Sequence, residues 1–291
     1  MIKIIVDSTA DLPKEYFKKY DIEIVPLIVN INSMEYKDKV NITLDELYSE
    51  LRNGSDIKTS QPNVQDIYDT LVKHAKNNNE VIFITISSRL SGTYQTIHLV
   101  IKQIKEEYPN FNISLIDSKG GSAIAGLMAL QAGLGIKNNI SFLEITLNLL
   151  EMADSGEHIF TVNDLRYLFK SGRLGRATAL IGNLLRIKPI LHVENGEIIL
   201  FKKVRGKNKS LNEIINLVDE RIAAFPKQII GIMHADDLEL ANEVKQKIID
   251  KLGKIKIIIN QIGSVLGSHL GIGGVGVFFF NKKPRFYFNE I

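Results

Sequence analysis

The first half of the chain alternates short apolar strands with amphipathic helices, and each strand runs into a turn rich in hydroxyl groups. Ile2–Val6 leads into Asp7, Ser8, Thr9, Ala10 and Asp11, and Ile57-Lys58 leads into Thr59, Ser60, Gln61 and Pro62. Val81–Ile86 leads into the stretch from Ser87 to Thr93, and Ile113–Ile116 into Asp117 and Ser118. Strand–helix–strand alternation builds parallel sheets covered by helices, because a parallel pair needs a long crossover to bring the chain back. In open α/β sheets, ligands bind outside the carboxyl ends of the strands. The pattern therefore collects small polar groups at one ligand-facing edge. What it collects are hydroxyls and amides, suited to holding a polar head group.

Helices are expected over Pro13–Tyr20, with Asp11 as N-cap and Pro13 in the first turn. Further helices are expected over Thr43–Leu51, with a Thr43/Glu46 capping box, and over Asn63–Lys76, Thr93–Glu107 and Ser122–Ile136. Ile22–Val29 reads as one strand interrupted by Pro26. The character changes near Glu151–Gly156. Strand patterns then fall at Ile159–Val162, Pro189–Val193, Ile198–Lys202, Gln228–Met233, Ile255–Gln261 and Val275–Phe280, with Phe286–Asn289 as a seventh. Asn195-Gly196 is a hairpin signal, and helices fit Leu211–Ala224 and Leu238–Leu252. The expected fold class is α/β with two domains. Residues 1–155 form a mostly parallel sheet flanked by helices and carry the polar turns; residues 156–291 form an α+β sheet with helices.

Composition narrows the function. The 291 residues are 45% hydrophobic and 24% charged, with a net charge of +3, too weak by itself to argue for nucleic acid. Cysteine is absent, which removes disulfides, thiolate metal sites and cysteine nucleophiles together. The six histidines show no metal-ligand spacing. No secretory pattern opens the chain, and no run approaches the roughly 18 apolar residues of a membrane span. A cytoplasmic, soluble protein without cofactor or metal is expected. Gly271–Gly276 satisfies G-x-G-x-x-G, but strand-like Val277–Phe280 follows where a dinucleotide site needs a helix. No phosphate-binding loop of the G-x-x-x-x-G-K-[ST] type occurs, so nothing marks an ATP site.

Three residues carry the site argument, each with a bland alternative. Thr59 and Ser91 can simply start the helices that follow them, since capping is the common role of hydroxyl residues there. A helix start also offers free N–H groups to an anion, and Gly92 lets the backbone approach closely. One β-α-β unit separates the two residues, which would set them on adjacent strand ends. His269, in a glycine-rich stretch, is either a loop histidine satisfied by backbone or a head-group ligand. Ala123–Gly135 reads either as a core helix or, with its small residues and Met128, as the wall of an apolar tunnel. The basic run Lys202–Lys209 has no interleaved aromatic residues, which speaks against nucleic acid.

The motifs Asp7–Asp11, Thr59–Pro62, Ser87–Gln95, Asp164-Leu165 with Lys170–Leu174, and His269–Gly271 resemble, in order along the whole chain, those of the DegV family of bacterial fatty-acid-binding proteins. The better understood members are the FakB subunits of fatty acid kinase. The resemblance implies a non-catalytic carrier that holds one long-chain fatty acid between two domains and presents its carboxylate to a separate kinase for acyl phosphate formation. It implies head-group contacts from Thr59, Ser91 and His269, with Ser60 beside them and Gly92 as an amide donor. It also implies kinase docking through Arg205 and Arg173, and leaves room for peripheral membrane contact. The competing reading is a serine hydrolase of an acyl substrate using Ser91 and His269, although no G-x-S-x-G elbow is present.

Overall fold

A computed structural model describes residues 1–174 and 187–290; Ile291, the last residue of the expected second domain, lies outside the described residues, as do 175–186. The chain begins β1 (Ile2–Asp7), α1 (Lys14–Lys19), β2 (Ile22–Val25), β3 (Ile28–Ile31), β4 (Met34–Lys37), α2 (Leu44–Arg52), β5 (Ile57–Ser60) and α3 (Val64–Lys76). It continues through β6 (Glu80–Thr85), α4 (Thr93–Glu107), β7 (Ile113–Asp117), α5 (Ala123–Lys137) and α6 (Phe142–Ser155). Next come β8 (Gly156–Thr161), α7 (Arg166–Lys170), β9 (Lys188–Glu194), β10 (Glu197–Val204) and α8 (Lys207–Ile222). The last elements are β11 (Ile229–His234), α9 (Leu238–Leu252), β12 (Lys256–Gln261), α10 (Ser264–Leu270) and β13 (Val275–Phe280).

Three sheets result. The first is parallel, in the order β2-β1-β6-β7. Its residues Ile5, Val81 and Phe83 pack against Ile67 and Leu71 of α3 and Ile97 and Ile101 of α4. Ile4, Val6, Ile82 and Ile84, on the alternate positions, pack against α5. The second sheet runs β10-β9-β8-β13-β11-β12, antiparallel except for the β11–β12 pair. One face is covered by α8 and α9, through Ile214, Val218, Val244 and Ile248. Its other face meets α5, where the Ala123 Cβ sits so close to Gly231 that a side chain there would clash. Helix α5 is thus sandwiched between two sheets, and every residue from Ala123 to Gly135 is buried. Such a helix must be apolar on all sides, and it is core, not cavity wall.

The third sheet is a small antiparallel one, β4-β3-β5, and it corrects two expectations. Ile22–Val29 is not one strand: it breaks at Pro26, which has no N–H for a ladder, and its two parts enter different sheets. The strand bearing Thr59 likewise does not lie beside β6. Other departures are local. Pro13, not Asp11, occupies the N-cap of α1, and the Asp11 carboxyl is engaged elsewhere. The Thr43/Glu46 capping box and the hairpin turn, with Asn195 at φ 50° and Gly196 at φ 83°, form as expected. In the G-x-G-x-x-G stretch Gly271 and Gly273 both take positive φ, and the chain turns directly into β13, so no nucleotide-binding helix follows. No described helix is long and apolar enough to cross a membrane.

Phe286–Asn289 forms no strand. It is a strap laid over α5 and α6. The buried Gln131 amide donates to Phe288 O and accepts from Phe288 N–H, each at 2.8 Å, and Asn148 Oδ1 accepts from Phe286 N–H at 2.9 Å. Replacing Gln131 by Leu keeps the volume but leaves the half-buried Phe288 N–H and C=O without these partners. Denaturant unfolding should show a loss of about 2–4 kcal/mol; a loss under ~1 kcal/mol would mean that the strap contributes little.

Candidate functional site

The end of β5 and the polar turns after β6 and β7 face the second sheet across a cavity of about 310 Å³. Small and apolar groups line most of it, including Ile86, Phe160, Val193, Val265 and Phe278. One region is polar: Thr59, Ser60, Gln61, Ser91, Gly92, His269 and Arg173 all reach it. No aspartate or glutamate is among the described residues that line the cavity. Among the described residues there is also no cluster of acidic and histidine side chains fit for a metal ion.

Each polar residue has a local reason to be there. Thr59 lies within β5, paired with Val29. Its Oγ1 meets His269 Nε2 at 2.8 Å, with His269 in the last turn of α10. The α10 helix was hidden in the sequence by its glycines; Gly267 is needed because Tyr48 lies against it, its hydroxyl 2.7 Å from where a Cβ would stand. Ser91 precedes α4, and its Oγ lies 2.8 Å from Thr93 Oγ1 and accepts from Thr93 N–H at 3.3 Å. Gly92, not Ser91, is the N-cap of α4; Ser91 stands one residue before it, holds the turn through Thr93 and lines the cavity. Gln61 joins the two segments: its Oε1 accepts from Thr96 Oγ1 at 2.6 Å and comes so near Gly92 that a Cβ would stand only 3.0 Å away. Thr59 and Ser91 therefore converge although their elements belong to different layers.

Arg173 is partly buried at the same end. Its guanidinium donates to Leu90 O at 3.4 Å and Ser171 O at 2.5 Å. A residue expected on a docking surface thus lines the cavity as well. Arg205 stands exposed just past β10, beside exposed Lys202, Lys203, Lys207 and Lys209. Burial holds the His269 imidazole down at about 4, and the charge of Arg173 acts in the same direction. His269 is accordingly neutral near pH 7. It pairs with Thr59 and not with Ser91, and among the described residues no carboxylate stands behind it, so they do not form the nucleophile–base–acid arrangement of a serine hydrolase.

His158 was not singled out in the sequence. It lies on β8, lines the cavity and has its ring edge-on to Phe278 at 5.4 Å. The Gly121 N–H donates to its Nε2 at 3.2 Å, and burial pushes its pKa down to about 4. The only sequence signal was its alternation with Phe160 on one strand face, which an ordinary core histidine shares. The polar turns also hold residues that do other work. Ser87 Oγ donates to Gly196 O at 2.7 Å, clasping the β9–β10 hairpin tip, and Asp7 accepts from Ile86 N–H at 2.6 Å.

Fold and site together define an α/β protein with a half-open apolar cavity whose polar end carries hydroxyls, a neutral imidazole and one arginine, with no described acid in its lining. Residues 1–282 match the family described as an uncharacterised protein of the DegV family, and the chain belongs to that family. A DegV domain-containing protein of Clostridium perfringens is 36% identical over 286 residues, covering 97% of this chain and 98% of that one. Among solved structures, DegV of Bacillus subtilis, described as a fatty acid binding protein, superposes with a TM-score of 0.85 at 31% identity, over 96% of this chain and 99% of that one. A stearic acid-binding protein from Eubacterium ventriosum gives 0.88 at 30% identity, over 96% and 97%.

The lowered histidine pKa values fix a pH dependence. The unfolded chain binds protons on these imidazoles near pH 6.5, the folded chain only near 4. Their stabilising contribution is complete above pH 6.5 and is lost as pH falls toward 4. Proton NMR of the empty protein should show the His269 ring titrating well below pH 6. A midpoint near 6.5 would place the ring in water instead.

Proposed function

We propose that the protein holds one long-chain fatty acid non-covalently, between a first domain of residues 1–155 and a second of residues 156–291. The carboxylate lies against Thr59, Ser91, the Gly92 backbone and His269, with Ser60 at the rim. The supporting observation is the cavity itself: an apolar enclosure whose polar end carries hydroxyls, a neutral imidazole and one arginine, with no described acid in its lining. The family relatives described as binding fatty acids support the same reading. An acyl chain of about sixteen carbons buries around fourteen methylenes, worth about 0.8 kcal/mol each before the costs of association. The tail supplies the affinity, and the head group must only avoid forfeiting it, since an unpaired buried carboxylate costs several kcal/mol.

Two measurements test this. Native mass spectrometry of protein expressed in bacteria should show added mass that extracts into organic solvent; protein that stays empty and ignores added palmitic acid would contradict the reading. Thr59→Ala and Ser91→Ala should each weaken palmitate binding by about 1.5–3 kcal/mol, the cost of a hydrogen bond to a charged group, and hexadecanol binding by less. Equal losses for acid and alcohol would mean that the two residues act through the fold.

We further propose that the chain is a carrier, not a catalyst, and that a separate kinase phosphorylates the exposed carboxylate. Docking falls to Arg205 in its basic surroundings, with Arg173 facing both the head group and the docked partner. Attraction of this kind governs encounter rate more than the pocket does. With fatty acid kinase supplied in solution, Arg205→Glu should slow acyl phosphate formation, leave fatty-acid affinity unchanged, and show a smaller relative defect at high salt. Loss of fatty-acid binding in that variant would return Arg205 to the fold. Acyl phosphate made by this chain alone from ATP would refute the carrier role.

A further inference from the structure

Asp11 caps no helix and is 1% exposed. Its Oδ1 accepts from the Gly263 N–H at 3.0 Å, and its Oδ2 from Ser122 Oγ at 2.8 Å. Gly263 is the residue from which α10 starts, and Ser122 immediately precedes α5. One buried carboxyl therefore joins two helix starts that lie far apart in the chain and flank the same cavity, which Ser122, Ile262 and Val265 line. Gly263 fits tightly, since a Cβ there would stand 2.8 Å from Asp11 Oδ1. Ser122 holds a φ of 50°, a conformation that a residue with a side chain keeps only when its surroundings enforce it. The enforcement comes from Asp11 at both ends: its side chain binds the Ser122 hydroxyl, and its backbone N–H donates to Ser122 O at 3.1 Å.

Helix α10 is seven residues long, so fixing its first residue fixes the ring that it carries in its last turn. We propose that Asp11 is a positioning residue for the head-group site: its buried carboxyl fastens the start of α10 to the start of α5 and so sets His269 opposite Thr59. The ligand readout of this assignment rests on the fatty-acid reading above; the geometry does not.

The charged and titratable groups facing Asp11 are Lys39, whose Nζ lies 3.6 Å from Oδ1, together with Asp38 and Tyr48. Asp7, nearby in sequence, is turned to Ile86 and Thr9. Burial pushes the Asp11 carboxyl up to about 6, against the opposing pull of Lys39, Ser122 and Gly263. A protonated Asp11 still accepts from Gly263 with one oxygen and can donate to Ser122 with the other. Once the fastening opens, the carboxyl meets water and releases its proton more readily. The fastened state is therefore favoured as pH falls through about 6 and loses support as pH rises through it.

The test uses the full, delipidated chain with Asp11→Ala and Asp11→Asn. Asparagine keeps an acceptor for Gly263 and a donor for Ser122 but cannot titrate. In the ligand-free protein, Asp11→Ala should move the His269 ring resonances, and Asp11→Asn should leave them nearly in place. Palmitate affinity should fall roughly tenfold in Asp11→Ala, with a smaller fall for hexadecanol. Between pH 5 and pH 7.5, the ratio of wild-type to Asp11→Asn dissociation constants should climb by at most roughly tenfold and level off above the fastened value of about 6. A merely structural residue would lower the melting temperature without producing that pH-dependent ratio. His269 resonances unmoved in Asp11→Ala, or a flat ratio for Asp11→Asn, overturn the proposal. If Asp11→Ala does not fold, the Asp11→Asn ratio decides. If the wild-type chain binds neither palmitate nor hexadecanol, the fatty-acid reading fails, and the ring resonances alone decide the role of Asp11.

Discussion

Everything in this molecule depends on burying α5 from both sides. A helix whose residues Ala123 to Gly135 all lack solvent contact cannot be satisfied by one sheet. It draws the parallel sheet to one flank and the mixed sheet to the other, through close contacts such as Ala123 against Gly231. Burial on this scale is the dominant favourable term in folding. Its consequence for function is geometric. The ends of β5, β6 and β7 are held facing the inner surface of the second sheet, and the cavity occupies the gap that the helix does not fill. Long-range fastenings then lock the gap: the Ser87 hydroxyl on the hairpin tip, Asp11 on the start of α10, and the Tyr48 hydroxyl on Ile262 O at 3.0 Å.

The polar end is half-buried: Thr59, Ser91 and His269 are partly covered, while Ser60, Gln61 and Gly92 are exposed. A charge without a partner is costly where water is partly excluded, and the groups available to an anion there are mostly neutral dipoles. His269 is kept uncharged by burial and by Arg173, and Thr59 fixes its ring. Hydroxyls and a neutral imidazole can satisfy a carboxylate, while the Arg173 guanidinium at the same end donates to Leu90 O and Ser171 O.

Much of the fold was legible from the chain alone. The capping box at Thr43, the hairpin at Asn195-Gly196 and the strand at Val275–Phe280 are local signals, and local signals survive folding. What failed was tertiary. No pattern in Ile22–Val29 reveals that its two halves join different sheets. Asp11 has the residue type of an N-cap, but a backbone amide from the other end of the chain claims it. The glycines around His269 read as a loop because the sequence could not show Tyr48 pressing on Gly267 and Tyr167 on Gly271. The convergence of Thr59, Ser91 and His269 on one cavity could be anticipated from motifs, but His158 looked like any core histidine until Phe278 and Gly121 stood around it.

The central claim is that a carboxylate lies at the Thr59–His269 end and an acyl tail fills the apolar remainder. A crystal structure with palmitic acid brominated on its last carbon tests it directly, because anomalous scattering locates the tail independently of the head. The account expects the carboxylate within hydrogen-bonding distance of Thr59, Ser91 and His269, with the bromine deep among apolar residues such as Phe278. A bromine beside Thr59, or a lipid lying outside this cavity, would contradict it.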